Sequence, residues 1–240
     1  MGNDAPATIV FVGRADAFTA ALARAFAAEK RRIAVLHDGG QDYAAVLASE
    51  VARSGAICLP LTLEDLGAEQ KCKSAGPLLK RVGEAFGRLD AIVRVESEVE
   101  MGRISAFARP DEANTAGGDL PHVPALMQAI RDLPRALRRS VRALFWIVAG
   151  NSKRADGGAV GATSLPPAWE EVRDAAAARS APGATALLVP QEFAGGENEN
   201  LSRALAERIV RETHLGGPSG ARVERLVAGP DRFHFEAMEF

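Results

Sequence analysis

One tyrosine and two cysteines stand among 240 residues, and each scarcity removes a class of protein. Cys58 and Cys72 are too few for a disulfide framework and form no C-x-x-C pair. The histidines, at 37, 122, 214 and 234, show no metal-ligand spacing. A net charge of −2 gives no electrostatic pull toward nucleic acid or an anionic membrane, so neither is expected as a partner. No apolar run approaches the ~20 residues of a membrane span. The opening MGNDAPAT lacks the basic start and apolar core of a secretion signal, so the cytoplasm is the expected compartment. There is no Gly-x-Ser-x-Gly elbow, no P-loop around Gly39-Gly40, and no internal repeat.

What is present is a strong alternation. Short apolar runs predict strands at Thr8–Gly13, Ile33–His37, Ala56–Leu61, Ala91–Val95, Ala143–Ala149, Thr185–Val189 and Arg222–Ala228. Between them lie helical patterns. Phe18, Leu22 and Phe26 recur every four residues and make one apolar stripe. Further helices are expected over Asp42–Ser54, ending at Gly55, and over Glu69–Phe86, kinked or starting late at Gly76-Pro77. Others follow at Val123–Arg139, broken near Pro134, at Ala168–Arg179, and at Leu201–His214. Glu96–Pro121 and Gly195–Asn200 read as polar loops. The fold class is therefore α/β: a Rossmann-type doubly wound parallel sheet of about seven strands with helices on both faces. One domain spans residues 1–240, with its core at 8–230 and a tail at 231–240.

Several phrases occur in an order that resembles the short-chain dehydrogenase/reductase family. TIVFVGRADAFTAALARAFAAEKRRIAVLHD is similar to its first βαβ unit, and GEAFGRLDAIVRV to its passage into strand four. LPRALRRSVRALFWIVAG resembles its fifth helix and strand, and GARVERLVAGP its last strand. The resemblance implies a site for NAD(P) after strand one, where three glycines let the backbone approach a diphosphate at a helix N-terminus. Here the slot reads Gly13-Arg14-Ala15-Asp16-Ala17-Phe18-Thr19, so Ala17 and Thr19 stand where two glycines are expected. The turn is then a plain link between strand and helix. Asp38, beside His37, is near the family's ribose-binding acid but is expected to be a solvated turn residue. Thr62-Leu63 replaces the adenine contact, and Arg94-Val95-Glu96-Ser97 replaces Asn-Asn-Ala-Gly.

The catalytic set implied by the resemblance is missing as well. Val148 and Ala149 hold the serine slot, Gly161–Pro167 the Tyr-x-x-x-Lys slot, and Pro121–His122 the asparagine slot. Tyr43 belongs to the helix after strand two. Other chemistry finds little support: Asn151-Ser152-Lys153 and Ser164 read as loop, and His122 as a helix-start residue. Glu96, Glu98 and Glu100 alternate along one extended face, where a cation is conceivable but a solvated strand end is the default.

These losses give the expectation of no catalytic, cofactor-binding or metal-binding residue, no cofactor, and no enzyme activity by the chain itself. The expected role is a non-catalytic subunit that joins an active paralogue of the family in a heterotetramer. Hetero-oligomeric members such as the hydroxyacyl-CoA dehydrogenase of the benzylsuccinate route are the precedent. The helices and strand at Val123–Arg139, Ala168–Arg179, Leu201–His214 and Arg222–Ala228 are the assembly elements that the resemblance implies. On Ala168–Arg179, Trp169, Val172 and Ala176 form a face suited either to close helix approach or to the chain's own sheet. The aromatic tail Arg232–Phe240 is expected to be covered by its own subunit or a neighbour. The alternative is a ligand-binding protein or enzyme that reuses the crevice for a non-nicotinamide ligand such as an acyl thioester.

Overall fold

All seven apolar runs become strands of one sheet, and the chain adds an eighth. The computed structural model describes residues 6–62, 75–97, 120–150, 169–177, 182–190, 198–217, 220–228 and 233–238. The strands are β1 (Thr8–Val12), β2 (Arg32–His37), β3 (Ile57–Thr62), β4 (Ala91–Ser97), β5 (Ala143–Gly150), β6 (Gly183–Pro190), β7 (Ala221–Ala228) and β8 (Phe233–Met238). Their spatial order is β3-β2-β1-β4-β5-β6-β7-β8. Neighbours from β3 through β7 pair in parallel, and only β8 runs antiparallel, against β7. The order reverses between β1 and β4, and sheets of this kind hold their ligand crevice at such a reversal, beyond the carboxyl ends of the strands.

Helices cover both faces for reasons visible in their periodicity. On one face lie α1 (Ala17–Ala28), α2 (Gln41–Arg53) and α7 (Glu199–His214). The stripe Phe18, Leu22 and Phe26 of α1 is buried there, each ring or branch contributing about 1.5–3 kcal/mol. On the other face lie α3 (Gly76–Phe86), α4 (Val123–Asp132), α5 (Arg135–Ser140) and α6 (Trp169–Ala177). The helix begins at Gly76 with Pro77 in its first turn, where a missing N–H costs nothing. Pro134 divides α4 from α5, as an imino acid between two helices should.

The strand count changes here, and two readings left open by the sequence are decided. The tail is not an appendage: its residues 233–238 form β8, and Phe233 and Phe235 pack against the core. Among the described residues the sheet therefore has eight strands, one more than expected. The face of α6 carrying Trp169, Val172 and Ala176 is buried in the chain's own core, so those three side chains are not free for a partner helix. A helix of small residues can still fill a core when it brings one indole, and Trp169 stacks 6.4 Å from Trp146 of β5. Glu69–Lys73 and Arg179, expected at helix ends, lie outside the described residues, as do Gly161–Pro167, Asn151-Ser152-Lys153 and Glu98 and Glu100. Among the described residues no helix is long and apolar enough to cross a membrane.

Candidate functional site

The crevice has two walls, and each is built around a carboxylate. The first wall is the turn between β1 and α1. Asp16 is the N-cap of α1, and its side chain accepts from the backbone N–H of Thr19 at 2.8 Å. Asp38, in the turn after β2, accepts from the N–H of Ala15 at 2.7 Å and pairs with Arg14 at 3.5 Å. The two turns are tied closely, because a Cβ on Gly39 would come within 2.4 Å of the Ala15 side chain. Asp38 is the exposed turn residue that was expected, and it also bridges the two turns. Thr19 is fully buried, with its hydroxyl 2.8 Å from where a Cβ on Gly13 would lie.

This geometry decides the fit of a nicotinamide dinucleotide. A diphosphate at a helix N-terminus needs backbone N–H groups to donate to it. Here those of Ala15 and Thr19 already donate to the chain's own carboxylates, whose charge would repel a diphosphate. The residues present do not fit that group.

Tyr43 belongs to the same wall. It lies in α2, donates its hydroxyl to the carbonyl of Asp16 at 3.0 Å, and packs edge-on against His37 at 4.8 Å. Burial, then the nearby charges of Asp16, Glu50 and Asp38, push its pKa well above the usual phenol value. A phenol held this firmly protonated ties two loops together and is no acid/base. Cys58 of β3 is half-buried, and burial raises its thiol to about 11, so it is inert as a nucleophile.

The second wall is β4 with its neighbours. Side chains two apart on a strand share a face, and Arg94 and Glu96 both point into the layer of α3, α4 and α6. Glu96 is 1% exposed, so the expected solvated strand end is corrected: the carboxylate is buried and fully partnered. Its Oε1 accepts from Arg94 Nε at 3.1 Å and from His122 Nδ1 at 3.0 Å, and its Oε2 accepts from Trp146 Nε1 at 2.9 Å. The Arg94 guanidinium also donates to the Val95 carbonyl at 2.6 Å and reaches the Val12 carbonyl of β1 at 3.5 Å. It therefore spans the switch point itself. Burial alone would raise the Glu96 carboxyl, but the hydrogen bond from His122, the Arg94 charge and the Trp146 N–H together hold it below the usual range.

His122 is the N-cap residue of α4, as its helix-start reading predicts, yet its side chain makes no cap hydrogen bond. The ring turns instead to Glu96 and stays 41% exposed. With Glu96 ionised, Nδ1 carries the proton and Nε2 is the ring's basic nitrogen. Neither residue was singled out for this pairing in the sequence. The available signal was two charged residues alternating on an otherwise apolar strand, beside a tryptophan on the next one. Val148 and Ala149, in the family's serine slot, are buried apolar residues of β5. Among the described residues no cluster of three or more His, Cys, Asp or Glu suits a metal ion.

The comparisons with known proteins agree on architecture. No protein-family model matches the chain, and no curated protein matches it in sequence. Solved structures do match. A Sinorhizobium meliloti 1021 protein named for the short-chain dehydrogenase/reductase family is 17% identical, with a TM-score of 0.58 over 94% of this chain and 97% of its own. A short-chain type dehydrogenase/reductase from Mycobacterium marinum is 15% identical, with a TM-score of 0.55 over 91% of this chain and 93% of its own. A short-chain dehydrogenase from Oenococcus oeni PSU-1 is 16% identical, with a TM-score of 0.53 over 94% and 98%.

This overturns the expectation that the chain is no enzyme. The proteins whose fold it shares are named as dehydrogenases and reductases. The physical reason for the error is plain. The loss of one constellation says nothing about another, and Glu96, His122 and Trp146 meet only through the fold, 26 and 50 residues apart in the chain. From β1 to β7 and across more than nine-tenths of its length, the chain has the fold of the short-chain dehydrogenases/reductases.

Proposed function

We propose that the chain is an enzyme of this fold whose crevice takes a ligand other than a nicotinamide dinucleotide, of the acyl-thioester kind. It works in the cytoplasm as one subunit of a hetero-oligomer, a heterotetramer with a paralogue that keeps the dinucleotide site. The observation that carries the reading is the contrast within the crevice. Asp16 and Asp38 hold the N–H groups a diphosphate would need, while β4 presents a fully hydrogen-bonded polar cluster that reaches the surface at His122.

Calorimetry on the full chain tests the ligand. Acetoacetyl-N-acetylcysteamine, a thioester with no diphosphate, is expected to bind saturably, and NADH and NADPH no tighter than about millimolar, the range of a contact with little specific recognition. Micromolar binding of either dinucleotide would sink the reading. For the assembly, the chain co-expressed with a paralogous dehydrogenase of its own genome should co-purify at fixed stoichiometry. Two separate homo-oligomers would remove that part.

A further inference from the structure

The described residues offer three further candidates. The groove between α1 and α7 is a stripe of small residues edged by Arg24 and Glu29, with nothing to name its occupant. The charged net of Arg208, Glu212, Arg222 and Glu224 is internally paired and joins α7 to β7. The Glu96–His122 pair is different, because only one of its members is buried.

We propose that His122 is a catalytic general base, with Glu96 as its positioning residue, acting on an activated acyl group, an ester or thioester, that undergoes hydrolysis in the crevice. This deepens the acyl reading above and rests on it for the substrate class alone.

The geometry supports each role. A base needs a lone pair at a reachable nitrogen, a fixed tautomer and a partner for the cation that forms. The carboxylate 3.0 Å from Nδ1 fixes the tautomer and leaves Nε2 basic, and its charge stabilises the imidazolium. Glu96 cannot swing away, since Trp146 holds its other oxygen at 2.9 Å and Arg94 its first at 3.1 Å. Among the described residues the ionisable groups facing the ring are Glu96 and, behind it, Arg94, both from β4; β5 contributes the Trp146 indole. A solvated ion pair on the surface would show none of this confinement. Glu96 is 1% exposed and the imidazole 41%, so one partner is anchored while the other meets solvent.

The step balances without a further reactant. Water attacks the acyl carbon as Nε2 takes one of its protons, and a carbon–oxygen bond forms. The bond from carbon to the leaving oxygen or sulfur then breaks, and the same proton passes from Nε2 to the leaving group. The products are a carboxylic acid and an alcohol or thiol.

The test uses the full chain and p-nitrophenyl acetate as probe, with His122→Asn, which retains a good N-cap side chain, and Glu96→Gln. The wild-type chain should hydrolyse the ester above the buffer rate. His122→Asn should lose about 100-fold in kcat. Glu96→Gln should lose about tenfold or more in kcat at unchanged KM, and its ring nitrogens, read by 15N NMR, should change from one tautomer to a mixture. Circular dichroism confirms folding of both variants, and any unfolded one is replaced by Glu96→Asp or His122→Gln. Wild-type turnover at the buffer rate, or a folded His122→Asn as active as wild type, overturns the proposal. Thioester binding without His122-dependent turnover defeats the base alone, whereas His122-dependent turnover without thioester binding defeats only the ligand reading.

Discussion

Asp16 and Glu96 are both carboxylates at the carboxyl ends of neighbouring strands, yet their surroundings give them opposite work. Asp16 is exposed, serves its own helix, and uses its charge where the fold ordinarily receives a phosphate. Glu96 is buried among three donors from three different elements and turns one of them, an imidazole, toward solvent. The difference teaches that a carboxylate's role is set by how many donors surround it and which of them remains accessible. One wall of the crevice is closed by the chain's own charge, and the other is organised by it.

The sharpest way to break that comparison is Glu96→Ala. It strands the Arg94 cation in the core and is expected to cost about 3–5 kcal/mol, read as a lower urea midpoint. If the loss is below about 1 kcal/mol, the network is not holding β4 to α4, and the contrast fails. Acid should reveal the same pairing more gently. Because the Glu96 carboxyl is held below its usual value when folded, its contribution is complete above the unfolded carboxyl range, about pH 4–5. That contribution is lost as pH falls through the lower, folded value. Glu96→Gln should therefore flatten the acid limb of a Tm–pH curve, and an unchanged limb would assign it to other groups. Asp16→Ala should be the mildest change, costing about 1 kcal/mol of cap energy, with Asp16→Asn nearly neutral by thermal melting. Equal losses in the two variants would mean that the charge, not the cap, is what matters there.

Much of the sheet was legible because its cause is local. Runs such as TIVFV and RIAVLH are buried on both faces and read as strands without knowledge of their neighbours. Gly76-Pro77 and Pro134 set helix ends for reasons contained in two residues. β8 carried a signal that was passed over, since Phe233, Phe235 and Ala237 alternate strictly with His234 and Glu236, but so short a run does not name its partner, and the pairing comes from β7. The candidate site was hidden for a stronger form of the same reason. His122 lies 26 residues from Glu96, and Trp146 lies 50 away, so nothing short-range announces that they meet. Glu96 looked like a solvated end because a glutamate is rarely buried, and the partners that permit it are long-range.

The antiparallel strand at one margin of the sheet has a consequence for solubility. An open parallel edge is a row of unpaired donors and acceptors that invites another chain to add on. At the β7 margin the chain supplies its own cover, β8, whose outer residues include His234 and Glu236. At the opposite margin, β3 carries Pro60, which has no N–H to offer an incoming strand. The sheet thus ends at one margin in an antiparallel edge strand that carries exposed polar side chains and at the other in a strand with a missing donor, two different obstacles to endless growth.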